Sequence, residues 1–147
     1  MHNSKDIIEE HIYNEETGKS KYIIKYDGLV FVGKAKCHPD DVPFANEKAG
    51  AQIARSRAII KMFKYEIRKL SYQTKALKDF YNSVCGSKTF SRNPWLKKKF
   101  MDEIDSYGYE IIELQQSIET VEKSLKNYLN LKAELYKKLL KNRDKNN

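Results

Sequence analysis

Two long stretches of this chain place apolar residues three and four positions apart, and that rhythm limits the fold more than any other feature. In the first, Ala49, Ile53, Ser56, Ile60, Phe63, Ile67, Leu70, Thr74, Leu77, Tyr81 and Val84 follow alternating steps of four and three. In the second, Ile104, Tyr107, Ile111, Leu114, Ile118, Val121, Leu125 and Tyr128 do the same. Lys132, Leu135 and Leu139 extend that row with one polar flaw. Such steps return to one face of an α-helix and make a heptad seam. The spacing predicts helix over 45–86 and again over 94–143, with Leu131 marking a local shift of the seam beside Lys132. Between them GSKTFSRNP breaks the rhythm. Gly86 suits a left-handed C′ position, and Pro94 suits a first helical turn. Neither helix buries its stripe alone, so an antiparallel helical hairpin is expected. Ile59, Met62, Ile112, Leu129 and Leu140 are apolar but off the seam, which leaves surface for a second copy. A homodimer is therefore expected as well.

Residues 1–44 follow a different period. KYIIKY (Lys21–Tyr26) and LVFVGKAKC (Leu29–Cys37) flank Asp27-Gly28, a two-residue hairpin signal, because both turn positions need positive φ. EHIYN (Glu10–Asn14) can add a third strand across the turn-like EETGKS. CHPDDVPF then ends the sheet, since Pro39 and Pro43 donate nothing to a ladder. Asp41 or Asn46 can cap the helix that follows. Gly50, inside AGAQIARSRA, costs a helix up to about 1 kcal/mol against alanine. Close approach of that helix to the sheet accounts for it best, with close approach to a ligand as the alternative. The fold class expected is α+β: a small N-terminal antiparallel β meander, then a long antiparallel, coiled-coil-like helical hairpin. It forms one domain over 1–147, with a frayed tail at 144–147.

The chemistry-bearing residues do not assemble into a reaction centre. His2, His11, Cys37, His38 and Cys85 show no CxxC or HxxxH spacing, so no metal and no cofactor are expected. Cys37 and His38 are adjacent, and adjacent strand residues face opposite ways, which does not suit a nucleophile and its base. Asp40-Asp41 reads as a turn and helix-entry pair. No enzyme is expected. No apolar run approaches the length of a membrane span, and the N-terminus MHNSKDIIEEH has no signal-peptide core. With two cysteines only, the expectation is a soluble, reduced, cytoplasmic protein with no membrane partner.

Charge is the informative property. Residues 48–99 carry fourteen Lys/Arg and two Asp/Glu, while 1–47 carry six and nine, and 100–136 carry three and eight. Arg57, Lys61, Lys64, Arg68, Ser71, Lys75, Lys78 and Asn82 repeat at four/three spacing one residue beyond the seam. They form a ridge about 100° round the first helix. Lys88, Arg92 and Lys97-Lys98-Lys99 carry positive charge on to the hairpin tip. Tyr65, Tyr72, Phe90 and Trp95 lie among these cations, where aromatic faces can stack on bases. The alternative is that Glu103, Asp105, Glu110, Glu113, Glu119 and Glu122 of the second helix pair with the ridge across the hairpin.

The run G-K-A-K-C-H-P-D-D (Gly33–Asp41), followed by G-x-x-I-A-x-x-R-A (Gly50–Ala58), resembles small uncharacterised proteins encoded by bacteriophages and prophages of Firmicutes-like hosts. The resemblance covers about a fifth of the chain. It implies a phage accessory protein in the host cytoplasm, a class that includes inhibitors of host defence and anti-CRISPR proteins. It supplies no catalytic residues. The expected function is non-enzymatic binding of nucleic acid, or of a nucleoprotein defence complex such as a CRISPR effector, acting by occlusion. The interface expected is Arg55, Arg57, Lys61, Lys64, Arg68, Lys75, Lys78, Lys88, Arg92, Lys97, Lys98 and Lys99. The alternatives are a protein-only coiled-coil module, and a sponge that grips a phosphorylated nucleotide signal with Arg55 and Arg57.

Overall fold

Asp27 and Gly28 both take the positive φ that a two-residue hairpin demands, at 54° and 71°. In a computed structural model, which describes residues 6–36 and 47–145, this turn joins β2 (Lys19–Tyr26) to β3 (Leu29–Lys36). β1 (Ile8–Asn14) pairs antiparallel with β2, and the sheet order is β1-β2-β3. The third strand anticipated from EHIYN is therefore present. In the β1–β2 turn the Asn14 carboxamide oxygen accepts from the backbone N–H groups of Glu16 and Thr17, at 3.0 and 3.2 Å. Gly18 closes that turn at φ 67°. Cys37, His38, Pro39, Asp40, Asp41, Pro43, Ala45 and Asn46 lie outside the described residues, as does His2. So do the expectations of a strand stop and a helix cap placed on them.

Strand alternation gives the sheet two unlike faces. Ser20, Ile24, Gly33 and Ala35 are buried on one face, while Ile8, Ile12 and Val30 are exposed on the other. α1 (Glu47–Val84) covers the first face with small residues: Ala49, Ala54 and Ala58 are 3%, 0% and 0% exposed. A Cβ on Gly50 would strike the Ser20 hydroxyl and stand 3.1 Å from Ser20 Cβ. The glycine is there because the helix approaches the sheet closely, as its sequence cost suggested.

The helices follow the seam. Every seam residue of α1 from Ala49 to Val84 is buried or half-buried. In α3 (Pro94–Lys145) the same holds from Ile104 to Tyr128. Beyond Tyr128 the expected row is corrected. Lys132 stays half-buried, with its Nζ 5.6 Å from the centre of the Tyr128 ring. Tyr136 and Leu140 follow it inward, whereas Leu131, Leu135 and Leu139 are 57%, 52% and 50% exposed. Successive steps of four have replaced the alternation of three and four, as in a local stutter of a heptad repeat.

Between the long helices lies α2 (Lys88–Arg92), which periodicity does not reveal because five residues are too few to show it. Ser87 caps it, its hydroxyl accepting from the Phe90 N–H. Gly86 is not the left-handed C′ residue expected of it, since the positive-φ glycines are Gly18 and Gly28. The end of α1 is instead closed by Cys85 N–H to Tyr81 O at 2.8 Å and Ser87 N–H to Val84 O at 2.9 Å.

The chain gathers into two compact units. The first comprises residues 1–61 and 119–147, the second residues 62–118. The first holds the sheet, the start of α1 and the later part of α3. The second is a helical hairpin with Leu70, Ile104 and Ile118 buried. No described helix is long and apolar enough to cross a membrane.

Candidate nucleic-acid interface

In the second unit the two helices are locked at the turn by aromatic rings. Phe90 of α2 and Phe80 of α1 each lie 5.7 Å, centre to centre, from Phe100 of α3. Tyr81 meets Phe90 edge-on at 5.9 Å. Such pairs add to the burial energy and fix geometry. Phe90, expected among the base-stacking candidates, is thus part of the tip's packing. Tyr65 is half-buried and makes an interaction of its own. Tyr72 and Trp95 remain open, at 78% and 61% exposed.

The cations divide into two groups. Lys64, Arg68, Lys75 and Lys78 stand exposed along α1, at the spacing that makes them one ridge. Lys88 and Arg92 bound α2. Lys97, Lys98 and Lys99 follow Pro94 in the first turns of α3, all exposed. Consecutive helical residues are about 100° apart, so these three splay round the tip rather than forming a line. Trp95 is three and four residues before Lys98 and Lys99 and is their neighbour on the helix surface. None of these cations forms an ion pair with a described residue. Pairing of the ridge with Glu103, Asp105, Glu110 and Glu113 is therefore not what this unit contains.

Arg55, Arg57 and Lys61 belong to the first unit, and there they hold the sheet. Arg55 pairs with Glu9 at 3.3 Å. Arg57 Nη1 donates to the Lys34 carbonyl at 2.6 Å, and Lys61 Nζ to the Val32 carbonyl at 2.7 Å. Two carbonyls two residues apart on a strand are about 6.7 Å apart. One helical turn rises about 5.4 Å, so cations four residues apart reach both. The three residues have a structural task that charge counting does not disclose. The sponge alternative relied on Arg55 and Arg57, and both are engaged in this way.

One face of α3 in the second unit is acidic. Asp102, Asp105, Ser106, Tyr109, Glu110 and Glu113 of α3 line an open groove of about 480 Å³. On the seam, the Tyr107 hydroxyl donates to Glu103 at 3.4 Å. Partial burial first, and then the neighbouring Glu103 carboxylate, raise the Tyr107 pKa above that of an ordinary tyrosine, so it stays a neutral donor. Among the described residues no group of three His, Cys, Asp or Glu side chains is placed to hold a metal ion. One cationic surface escaped the sequence reading. Alternation in β2 and β3 puts Lys19, Lys21, Lys34 and Lys36 on the outer face of the sheet. Their pattern K-x-K and G-K-A-K was the available signal, hidden by the net negative count of residues 1–47.

Compared with known proteins, the chain matches no family profile, no curated protein and no solved structure.

Proposed function

We propose that this is a non-enzymatic nucleic-acid-binding protein whose interface is the tip and ridge of the helical hairpin. The observation that carries the reading is Trp95, 61% exposed beside Lys98 and Lys99 in a tip with no acid from Lys88 to Lys99. An exposed indole supplies a stacking platform for a base, and the flanking ammonium groups supply phosphate contacts. Lys64, Arg68, Lys75 and Lys78 continue the phosphate track along α1. The acidic face of α3 repels a polyanion and confines it to the basic side. The sequence carries no base-reading motif, so binding is expected to be independent of sequence. The action proposed is occlusion: the bound segment, free or within a nucleoprotein complex, is withheld from other proteins. A phage accessory role against a host defence, in the host cytoplasm, is consistent with that action and rests on the resemblance of Gly33–Asp41 and Gly50–Ala58.

The same reading takes the working form to be a homodimer. Its support is the exposed row Leu131, Leu135 and Leu139 on α3, apolar surface of a kind that monomers seldom leave open.

The test is binding of labelled single-stranded and duplex oligonucleotides by fluorescence anisotropy across a salt series. The wild type is expected to bind with an affinity that falls steeply with salt. Lys97→Ala/Lys98→Ala/Lys99→Ala is expected to flatten that dependence. Trp95→Ala is expected to weaken single-strand binding by about 1–3 kcal/mol with little change in salt slope. Absence of binding at low salt would end the nucleic-acid reading and leave the protein-only module.

A further inference from the structure

The first unit carries a second cationic surface, on the side of the sheet that α1 does not cover. In the β2–β3 register Lys19 stands opposite Lys36, and Lys21 opposite Lys34. All four are exposed, and residues two apart on a strand share a face, so the four lysines form one group on that face. The hydrogen bonds of the sheet edge sharpen this. The carbonyls of Val32 and Lys34 accept from Lys61 and Arg57, so they point away from β2. Residues of that parity therefore occupy the non-hydrogen-bonded positions of the ladder, where opposed Cα atoms are only about 4.5 Å apart.

Like charges directly opposite one another destabilise a sheet. Here two such pairs sit in successive rows. On β1 the same two rows continue as Asn14 beside Lys19 and Ile12 beside Lys21, neither of them an acid. Glu15 and Glu16 occupy the nearby turn, yet no described acid forms an ion pair with any of the four lysines. A fold that tolerates this self-repulsion has a place for several negative charges at fixed spacing. The rows are about 6.7 Å apart along the strands, of the order of the distance between successive phosphates of one nucleic-acid strand.

We infer that the outer face of the sheet, through Lys19, Lys21, Lys34 and Lys36, is a second docking surface for the phosphodiester backbone of nucleic acid. The inference shares with the proposed function the class of partner, but it stands on a different unit and on different residues. Among the described residues no aromatic ring lies on this face, so the surface takes phosphates and leaves the bases unread.

The test replaces all four lysines with threonine, which suits exposed strand positions and preserves the sheet. Two readouts are used. In the free protein at low salt, the quadruple variant is expected to melt at a higher temperature than the wild type, because the opposed charges are gone. In salt titrations with a duplex oligonucleotide, its slope of log affinity against log salt is expected to fall by about 2–4, at roughly 0.9 for each phosphate no longer neutralised. The Lys97→Ala/Lys98→Ala/Lys99→Ala variant is expected to retain a residual, salt-dependent affinity that the added quadruple change removes.

A quadruple variant with an unchanged slope, beside a tip variant that no longer binds, would overturn the second surface and leave the tip standing. No binding by the wild type would overturn both. Phosphatidylserine–phosphatidylcholine vesicles form the third arm. Vesicle binding that depends on the four lysines, with oligonucleotide slopes unaltered, would reassign the surface to a membrane and overturn the inference.

Discussion

A methyl group on Gly33 would land on the backbone of α1, 2.6 Å from Ala58 N and against the Ala54 carbonyl. Backbone does not give way as a side-chain tip does. Gly33→Ala is therefore expected to cost about 3 kcal/mol or more, the upper end of overpacking, read as a drop in denaturant midpoint. Gly50 differs, because its obstacle is the Ser20 side chain. Ser20 is 2% exposed and its hydroxyl has no hydrogen-bond partner. Ser20→Ala removes that orphan and is expected to stabilise by about 1 kcal/mol. Gly50→Ala alone is expected to destabilise by about 1–3 kcal/mol. In the Ser20→Ala background it should become nearly neutral, since the alanine helix propensity then offsets the remaining contact. A double-mutant cycle measured by chemical denaturation gives the coupling, and an additive result would refute the contact. At this scale much was legible. A glycine inside AGAQIARSRA announced a close approach, though Ser20 as the other party was not readable, because nothing local links residues 20 and 50.

The elements show where sequence reasoning succeeds and where it stops. Periodicity placed both long helices and the seam to Tyr128, because a stripe that must be buried writes itself at 3.5 residues. It failed past Lys132, where Leu135 and Leu139 read as seam while the chain turns Tyr136 and Leu140 inward. Chemical type alone does not say which of two apolar rows is covered. The basic ridge was legible in the same way, but its division was not. Arg57 and Lys61 fit the ridge perfectly by spacing and are nevertheless the caps of the β3 edge. An open strand edge is a hazard that proteins cover, and here the helix covers it with cations. Arg57→Ala and Lys61→Ala are each expected to lower stability by about 1 kcal/mol and to leave nucleic-acid affinity nearly unchanged. Lys64→Ala and Arg68→Ala are expected to do the reverse, with melting temperatures near wild type and a shallower salt slope. Melting curves and salt titrations on the four single variants separate the groups. Equal loss of affinity in all four would show one undivided ridge.

Across the whole molecule the net charge of +8 conceals a sorting by surface. Within the second unit the cations lie on α1 and the tip, while five of the seven acids lie on α3 and only Glu66 and Asp79 on α1. Within the first unit, the outer sheet face gathers lysines that a segment count had cancelled against the nine acids of residues 1–47. The exposed leucines of α3, from which the homodimer is proposed, are flanked by charge in an ordered way too. Glu134 and Lys138 lie one turn apart along one side of the row Leu131, Leu135 and Leu139, and both are exposed. Two copies related by a twofold axis across this row run antiparallel. That arrangement brings Glu134 of each copy toward Lys138 of the partner subunit, whereas a parallel pair brings neither charge to its opposite. Leu135→Glu is expected to abolish the dimer in sedimentation velocity, by placing a charge at the centre of the apolar row. Glu134→Lys is expected to weaken it by about 0.5 kcal/mol for each of the two pairs, the range of exposed ion pairs. Glu134→Lys/Lys138→Glu restores opposite charges and is expected to recover the wild-type dissociation constant. Recovery by the swap is the part that a merely destabilised helix does not imitate. A chain that sediments as a monomer at every concentration, or a swap that fails to rescue, would mean that this leucine row serves a different partner.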